Sequence, residues 1–337
     1  MARTLDDLAA LSGVSRATVS RVINGGPVSE ETRRRVLEVL ERTGYRPNRA
    51  ARTLASGRSG VVGVVMHIDP HHLFRDPYFA GLLTGMSNAL AEKAVGMMLW
   101  LGDRTKDEIL DQIQLRGLLD GVIVTAHWRE DPLVDSLLDS SMPTVLIGHR
   151  RSHPEASYVD VDDVQAADTI TTHLIEIGRR RIGHITGIPG SVAGADRLEG
   201  YKRAMARAKL PTEGLVVEGE FNRASGAAGA AQLIEAGVDA IFCANDATAA
   251  GALETIKAHG LRVPEDIALA GYDDLDFAAQ LDPPLTTIRQ GVQDQGAAAA
   301  RTLFQLLEDP DGGPRRVLLP TELVIRRSTV GGVRRFD

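Results

Sequence analysis

The chain has 337 residues, 25% of them charged, and a formal net charge of −7. This length exceeds one typical domain and supports a large core, which excludes a small scaffold held together by disulfides. The single cysteine, Cys243, cannot form an internal disulfide, and no apolar stretch approaches the length of a membrane span. Because the N-terminus also lacks a signal-peptide pattern, we expect a cytoplasmic protein.

Positive charge is concentrated at the N-terminal end. Residues 1–60 carry 11 Arg and six Asp or Glu, a net charge of +5, which leaves −12 for the remainder of the chain. A basic head fits phosphate binding, and its arginines would make that binding salt-dependent. The alternative for residues 33–35 (RRR) is an ordinary solvated helix face.

Two short helices joined by a tight turn are predicted at the start of the chain. Thr4 is placed to cap the first helix, Gly13 supplies the turn and Ser15 caps the second helix. The predicted inward faces are Leu5, Leu8, Ala9 and Leu11 in the first helix and Val19, Val22 and Ile23 in the second. The second helix presents Arg16, Ala17, Ser20, Arg21 and Asn24 outward. This pattern indicates a helix-turn-helix, whose second helix enters the DNA major groove.

A third helix follows, and then a marginal one. Ser29 caps the third helix and Gly44 ends it, and its apolar stripe is predicted to comprise Val36, Leu37, Val39 and Leu40. Residues 45–56 (YRPNRAARTLAS) predict one more short helix, capped by Asn48, before a linker at 57–60. A helix this short is unstable alone in water, so we expect it to fold when it meets DNA.

From residue 61 onward, apolar runs alternate with helical patterns. This alternation predicts α/β architecture with doubly wound parallel sheets in two lobes, and a ligand crevice at the carboxyl ends of the strands. The predicted strands are 61–66, 96–101, 121–125, 144–148, 181–186, 215–218, 240–243 and 267–271. The predicted helices lie near 78–93, 105–117, 131–140, 163–177, 195–208, 224–236, 246–259 and 293–308.

Several motifs resemble the LacI/GalR family of bacterial transcription regulators across essentially the whole chain. They are VSRATVSRVIN (14–24), YRPN (45–48), AND (244–246), VPEDI (263–267), GYDD (271–274) and PPLTT (283–287). The resemblance implies a helix-turn-helix domain (1–47), a hinge helix and linker (48–60), and a periplasmic-binding-protein-like domain for effector binding and dimerisation (61–337). Its N-lobe would comprise about 61–160 and 290–320, and its C-lobe about 161–289 and 321–330.

The resemblance also implies which residues read DNA. Arg16 and Ala17 occupy the two positions that set operator preference, where arginine can read guanine and alanine can contact a thymine methyl. Arg21 would read a further guanine. The other implied DNA-binding residues are Thr4, Ser15, Thr18, Ser20, Asn24, Asn48, Arg49, Ala51, Arg52 and Ala55. For Thr18 and Ser20 the alternative is ordinary helix-surface chemistry.

Leu54 occupies the position of the family's minor-groove wedge. Two hinge helices side by side would push a pair of leucines into the central base step, and the cost of unstacking is offset by contacts to the bent duplex. The predicted operator is therefore palindromic and bound by a homodimer. The alternative is that Leu54 is buried against its own domain.

Ten residues are predicted from the resemblance to bind a small-molecule effector. Arg197 matches the arginine that forks onto ligand hydroxyls or carboxylates, and Phe221 takes the place of an aromatic platform for a sugar face. The segment 76–79 (DPYF) resembles a loop that closes over the ligand. The complete set is Asp76, Tyr78, Phe79, His127, Trp128, Asp162, Arg197, Phe221, Asn245 and Asp273. Lobe packing, helix capping and covering of the core are the alternatives for several of them.

The resemblance favours a repressor of a carbohydrate-use operon, released by a mono- or disaccharide. The family also contains purine-responsive members, so a corepressed regulator stays open. The chain ends without a leucine-heptad tail, which favours a dimer in the bacterial cytoplasm, associated with the nucleoid. A cytoplasmic sugar-binding protein or sugar-processing enzyme, with N-terminal helices that serve only oligomerisation, is the alternative from another class.

Catalytic and metal-binding patterns are poorly matched. His67, Asp69, His71 and His72 lie close together, in a segment predicted to begin a loop, but their spacing fits no zinc motif. Residues 183–190 (GHITGIPG) lack the GxGxxG spacing, and neither a GxSxG nucleophile elbow nor a P-loop occurs. We therefore expect no enzyme activity, no metal and no cofactor apart from the effector.

Overall fold

The computed structural model describes residues 4–23, 26–45, 58–66, 68–101, 110, 113 and 118–330. By compactness the chain divides into two units, Met1–Ser59 and Gly60–Asp337. Each unit has its own core.

The N-terminal unit contains three described helices, α1 (Leu5–Ser12), α2 (Arg16–Ile23) and α3 (Glu30–Thr43). Thr4 and Asp7 form a reciprocal capping box at the start of α1, with Thr4 N donating to Asp7 Oδ2 at 2.7 Å and Asp7 N donating to Thr4 Oγ1 at 3.3 Å. Gly13 and Gly44 end their helices with φ of +63° and +61°, a conformation that disfavours a side chain. These three helices, the caps Thr4, Ser15 and Ser29 and the turn at Gly13 are confirmed. The fourth helix, predicted within 45–56 and capped by Asn48, lies outside the described residues.

The core of this unit is small. Its fully buried members are Leu8, Val19, Val22, Val36 and Val39. Leu11 and Leu37, which were predicted to face inward, are 47% and 50% exposed, so those two predictions are wrong. Each of these three short helices buries only a narrow strip of its surface against the other two. Both leucines lie at the edge of the buried strip of their helix.

The second unit alternates strands and helices throughout its length. In chain order they are β1 (Val61–Met66), α4 (Pro70–Arg75), α5 (Pro77–Glu92), β2 (Gly96–Leu101), β3 (Gly121–Thr125), α6 (Pro132–Leu138), β4 (Thr144–Ile147), β5 (Ser157–Val161), α7 (Asp163–Glu176) and β6 (Ile182–Ile185). The chain continues with α8 (Val192–Arg207), β7 (Val216–Val217), α9 (Arg223–Glu235), β8 (Ala240–Cys243), α10 (Asp246–Ala258), β9 (Ala268–Ala270), a 3₁₀ turn (Asp276–Gln280), β10 (Thr287–Arg289), α11 (Val292–Glu308), β11 (Arg316–Leu319) and β12 (Glu322–Val324).

These strands form two parallel sheets, as predicted. One has six strands in the order β2–β1–β3–β4–β5–β11, and the other has four in the order β7–β6–β8–β9. β10 and β12 pair antiparallel beside them. β1 has a parallel partner on each side, which explains its uninterrupted apolar sequence. Within the described ranges, none of the helices is both long enough and apolar enough to cross a membrane.

Besides the 3₁₀ turn at Asp276–Gln280, five elements were not predicted: α4, β5, β10, β11 and β12. The segment that begins at Pro70 is helical, so the loop predicted there is wrong. β11 pairs with β5 in the register Arg316↔Tyr158, a contact between residues far apart in sequence. Such short strands lack a strong local pattern and are stabilised by the neighbour they find. The helix predicted near 105–117 falls largely outside the described residues.

Two glycines allow α5 and α11 to pack closely. A Cβ on Gly85 would lie 1.9 Å from Gln293 O, and one on Gly296 would lie 2.1 Å from Leu82 O. Both obstacles are backbone atoms, so no side-chain rotation can relieve them. The close approach brings α11 against the six-stranded sheet, where Leu303 is fully buried.

We expect Gly85→Ala to destabilise the second unit by about 1–3 kcal/mol, because the added methyl must push two helix backbones apart. The matched control is Gly81→Ala, one turn earlier on α5, where the atoms nearest to a Cβ belong to the side chains of Val292 and Gln293 and lie at 3.4 Å or more. That control should stabilise by up to about 1 kcal/mol through its higher helix propensity. Urea unfolding of the two variants measures the difference, and equal midpoints would contradict the close approach.

Candidate functional site

One face of α2 is exposed and polar. Arg16, Ala17 and Arg21 are exposed, while Val19 and Val22 are buried on the opposite side. The helix therefore stands on the small core with its arginines outward, the arrangement needed by a helix that reads a groove.

The hydroxyls predicted to contact DNA already take part in local bonds. Ser15 Oγ accepts from Thr18 N at 3.1 Å and lies 2.9 Å from Thr18 Oγ1, while Thr4 forms the capping box of α1. Ser20 is half-buried. Arg16 Nη1 lies 3.7 Å from Asp6 Oδ2, and both side chains are largely exposed, so this ion pair competes weakly with any other partner of the guanidinium.

The other residues predicted to bind DNA lie outside the described residues, and their roles stay predictions. They are Asn24, Asn48, Arg49, Ala51, Arg52, Leu54 and Ala55.

A cavity of about 140 Å³ lies in the second unit, where the carboxyl ends of strands from the two sheets meet. Thr125, Ile147 and Val161, the last residues of β3, β4 and β5, form part of its wall. Nine of the ten predicted effector residues line it: Asp76, Tyr78, Phe79, His127, Trp128, Arg197, Phe221, Asn245 and Asp273.

Arg197 is the central cation of this wall. Its Nε donates to Asp163 Oδ1 at 2.9 Å and its Nη1 donates to Ala244 O at 2.7 Å, while Nη1 also lies 3.7 Å from Asp273 Oδ1. The guanidinium carbon lies 3.7 Å from the centre of the Tyr272 ring. Burial acts to lower the pKa of Arg197, but the two carboxylates outweigh it and raise the pKa, so the group stays charged.

Asp273 follows β9 at a strained position, with φ of +108°. Its Oδ1 accepts from Gln290 Nε2, and Gln290 Oε1 accepts in turn from Gln295 Nε2 at 2.8 Å. Burial raises the pKa of Asp273 well above its ordinary value, while Arg197 acts in the opposite direction. A carboxyl group in this position can exchange hydrogen bonds with a ligand hydroxyl.

Phe221 and Asn245 support each other. Asn245 caps α10, its Oδ1 accepting from Thr248 N at 2.9 Å, and its Nδ2 donates to Phe221 O at 3.0 Å. Phe221 has φ of +59°, and its ring occupies the space that a Cβ on Gly187 would need. The ring is thereby held in the wall, 5.8 Å from the Arg197 guanidinium carbon.

The segment 76–79 is the start of α5 and not a closing loop, so the loop prediction is wrong, whereas the helix predicted from residue 78 is confirmed. Asp76 caps α5, with its Oδ1 accepting from Tyr78 N at 3.0 Å, and Tyr78 and Phe79 lie in the first helical turn. Burial raises the pKa of Tyr78, so its hydroxyl keeps its proton and can donate. These groups are therefore presented by a helix rather than by a closing loop.

Asp162 is the predicted effector residue that does not line the cavity. It is exposed and caps α7 by accepting from Gln165 N at 2.9 Å, whereas its neighbour Asp163 turns into the wall and pairs with Arg197. Sequence reasoning missed Asp163 together with Asp160, Ser191, Gln290 and Gln295, all of which line the cavity. The role of Asp162 as an N-cap could have pointed to Asp163. An N-cap side chain is occupied by the helix backbone, and the next residue faces a different side of the helix.

Acidic groups predominate in the cavity wall. Among the described residues that line it, the Asp, Glu, Lys and Arg side chains are one arginine and four aspartates, Asp76, Asp160, Asp163 and Asp273. Burial raises the pKa of Asp160 and of Asp273. Aromatic surface comes from Tyr78, Phe79, Trp128 and Phe221. Carboxylates accept hydrogen bonds from hydroxyls, and aromatic faces pack against apolar sugar faces, so the wall suits a neutral polyol and disfavours an anion. In the described part of the chain, no group of three or more His, Cys, Asp or Glu side chains is arranged to hold a metal ion.

Comparison with known proteins gives matches over both units. Residues 4–48 match the profile described as bacterial regulatory proteins, lacI family, and residues 171–329 match a periplasmic binding protein-like domain. The HTH-type transcriptional regulator CelR of Thermobifida fusca is 39% identical over 332 residues, covering 96% of this chain and 98% of the relative. MalR of Streptomyces coelicolor is 33% identical over 344 residues, covering 98% and 97%.

Solved structures agree with this result. A CelR–cellobiose complex has a TM-score of 0.76 at 36% identity and covers 97% of this chain and 99% of its own. A lac repressor dimer bound to operator and the anti-inducer ONPF has a TM-score of 0.86 at 26% identity, with coverages of 98% and 99%.

A three-helix unit with an exposed arginine-bearing second helix, followed in the chain by a two-sheet unit with a polar cleft, defines a DNA-binding regulator with a ligand site. The full-length similarity to CelR and MalR settles its relationship: the chain belongs to the LacI family of bacterial regulatory proteins. It is a transcriptional regulator of that family and not an enzyme.

Proposed function

We propose that this protein is a cytoplasmic transcriptional repressor of a carbohydrate-use operon. It binds a palindromic operator as a homodimer and leaves it when a neutral mono- or disaccharide fills the cavity of the second unit. The main support for this proposal is the composition of the cavity wall. Arg197 lies between Asp163 and Asp273, and Trp128 and Phe221 supply aromatic surface.

The acidic groups of the wall favour a neutral ligand. A phosphate group has few protons to donate to the carboxyl groups of Asp76, Asp160 and Asp273, and the Arg197 guanidinium is already bonded to Asp163. A glycoside brings hydroxyls, which can donate to those carboxylates and accept from Arg197. The relative CelR has been solved with cellobiose, which makes β-glucosides the first class to test.

The size of the cavity limits the ligand further. A volume of about 140 Å³ is close to that of an apolar cavity of about 150 Å³ that holds one benzene ring, so it corresponds to about one six-membered ring. A disaccharide, with two rings, therefore requires the cleft to widen much more than a monosaccharide does. Glucose and cellobiose accordingly form an informative pair of probes.

Coupling between the two sites follows from linkage. If the sugar binds more tightly to the form that has released DNA, then DNA must weaken sugar binding by the same factor. In our proposal the filled cleft changes how the two subunits present their hinge segments, and the two DNA-binding heads lose their common alignment.

The test is selection of operators from random duplexes with the purified full chain, repeated with cellobiose, glucose, glucose 6-phosphate and hypoxanthine. We expect selection to yield a palindromic operator. One of the two neutral sugars should release the protein from it, whereas the sugar phosphate should have no effect, because a phosphate cannot supply the donors that the carboxyl groups of the wall need.

The other outcomes each exclude the proposal in a different way. If hypoxanthine raises the affinity of the protein for the selected operator, the protein is a purine-corepressed regulator. If no duplex is selected even at low salt, a cytoplasmic binding protein is favoured instead, since low salt strengthens every phosphate contact.

A further inference from the structure

An irregular segment, residues 127–131, joins the two halves of the second unit; we call it the strap. It follows β3 of the six-stranded sheet, and His127 and Trp128 line the cavity. From there it reaches the segment before α8: Arg129 N donates to Gly190 O at 2.8 Å, and Trp128 forms an antiparallel bridge with Ser191. The strap thus forms part of the wall and also spans the cleft.

Arg150 holds the strap from behind. Its guanidinium donates to three strap carbonyls, Trp128 O at 2.7 Å, Arg129 O at 2.6 Å and Asp131 O at 3.2 Å. The same group forms a two-pronged pair with Asp135, Nε to Oδ1 at 2.7 Å and Nη2 to Oδ2 at 2.6 Å. The side chain is only 2% exposed.

These bonds give Arg150 a task that no other residue type can perform. Asp135 neutralises the buried charge, and the fork then directs its remaining donors at three backbone carbonyls of the strap. The Arg150 guanidinium also holds the pKa of the Asp135 carboxyl below its ordinary value, so the pair stays ionised. Arg150 itself does not line the cavity.

The far end of the strap reaches the helix that carries Arg197. Arg129 Nη2 lies 3.5 Å from Asp196 Oδ1, and Asp196 directly precedes Arg197 on α8. His149 Nε2, beside Arg150 in the chain, lies 3.6 Å from Asp196 Oδ2. The placement of the strap therefore affects both the aromatic side and the arginine side of the cavity.

We propose that Arg150 is a positioning residue of the effector site, which acts by fixing the carbonyls of the strap so that Trp128 faces the ligand and Arg129 reaches across the cleft. This rests on the proposed function in one respect, that the cavity takes a sugar. Loss of the fork releases the strap, weakens ligand binding and leaves the two sheets intact.

The experiment uses Trp128 as a reporter. The chain has two tryptophans, so Trp100→Phe leaves Trp128 as the single emitter. In that background we compare Arg150→Gln with Arg207→Gln. The control removes a similar two-pronged pair, Arg207 to Asp168 with both contacts at 2.7 Å, from a site that does not line the cavity. Acrylamide quenching without ligand, cellobiose titration and urea unfolding are measured for each protein.

Arg150→Gln should raise the quenching constant of Trp128 and increase the Kd for cellobiose roughly 10- to 100-fold, as expected when one or two charge-assisted hydrogen bonds are removed. Arg207→Gln should change neither. Arg150→Lys keeps the charge opposite Asp135 but not the fork, so it should fold and give intermediate quenching. It serves as the test if the glutamine variant fails to fold.

Unchanged quenching and unchanged Kd in both Arg150 variants would overturn the proposal, and so would equal changes in the Arg207 control. If the wild-type chain binds no cellobiose, the proposed ligand class fails, but the quenching comparison still decides the role of Arg150 because it needs no ligand.

Discussion

Replacing Arg197 with alanine is expected to abolish the effector response and to lower the free energy of unfolding by about 3–5 kcal/mol. The guanidinium pairs with Asp163, lies within 3.7 Å of Asp273 and is almost wholly buried. Its removal leaves the buried carboxyl groups of Asp163 and Asp273 without their common cation and Ala244 O without its donor. Few other single substitutions in this unit would leave so much buried charge uncompensated.

Two further variants separate binding from stability. Arg197→Lys retains a charge but cannot contact Asp163 and Ala244 in the same plane, so we expect a folded protein that no longer responds to cellobiose. Arg262→Ala removes an exposed two-pronged pair with Asp266 and should leave both stability and the response nearly unchanged. Urea unfolding and sugar titration measure the two effects. Wild-type affinity in the alanine variant would rule out Arg197 as a ligand contact.

The second large effect is expected at the N-terminal unit. Changing Arg16 and Arg21 together to alanine should weaken operator binding by about 1–3 kcal/mol for each guanine that is no longer read, and should relax sequence preference at those base pairs. Both side chains are exposed on α2, and Val19 and Val22 hold the helix from its other face, so the fold should survive. Sugar binding should be unaffected.

The control for this experiment is the double change of Arg35 and Arg42 to alanine. Both arginines are exposed on α3, so the control removes the same charge from the same unit. We expect a smaller reduction in affinity that is similar for all duplexes, because it reduces general phosphate attraction. Binding is measured by titration of a selected operator and of a scrambled duplex. If the Arg16 and Arg21 variant discriminates between them as wild type does, α2 is not the reading helix.

How much could be predicted from sequence differs between the two units. In the N-terminal unit, the helices are bounded by local chemistry: Thr4 and Ser29 bond to backbone amides three residues on, and Gly13 and Gly44 adopt positive φ. Signals of this kind act over one helical turn and are visible in the sequence.

Exposure was harder to predict. Leu11 and Leu37 continue the apolar pattern of their helices, yet they are about half exposed. Periodicity identifies the apolar side of a helix, but the width of the buried stripe depends on how much of that side a neighbour covers.

In the second unit, the buried strands were readable because burial on both faces demands continuous apolar runs, as in β1 and β8. β11 could not be predicted from its sequence. Its residues alternate between exposed and half-buried, and its partner strand β5 lies far back in the chain. Gln290 lies beside Asp273 because a parallel bridge joins Asp273 to Arg289, the last residue of β10. Nothing in the local sequence of Gln290 indicates that contact.

The amino-acid sequence was sufficient for the family motifs, the helix caps, the alternation of strands and helices, and nine residues of the cavity wall. These depend on local propensity or on residue types at particular positions. The packed fold was needed to establish that Asp163 rather than Asp162 pairs with Arg197, and that Arg150 binds the strap behind the cavity. Both contacts join residues at least 19 positions apart. Their geometry depends on how the elements are packed, which no local pattern encodes.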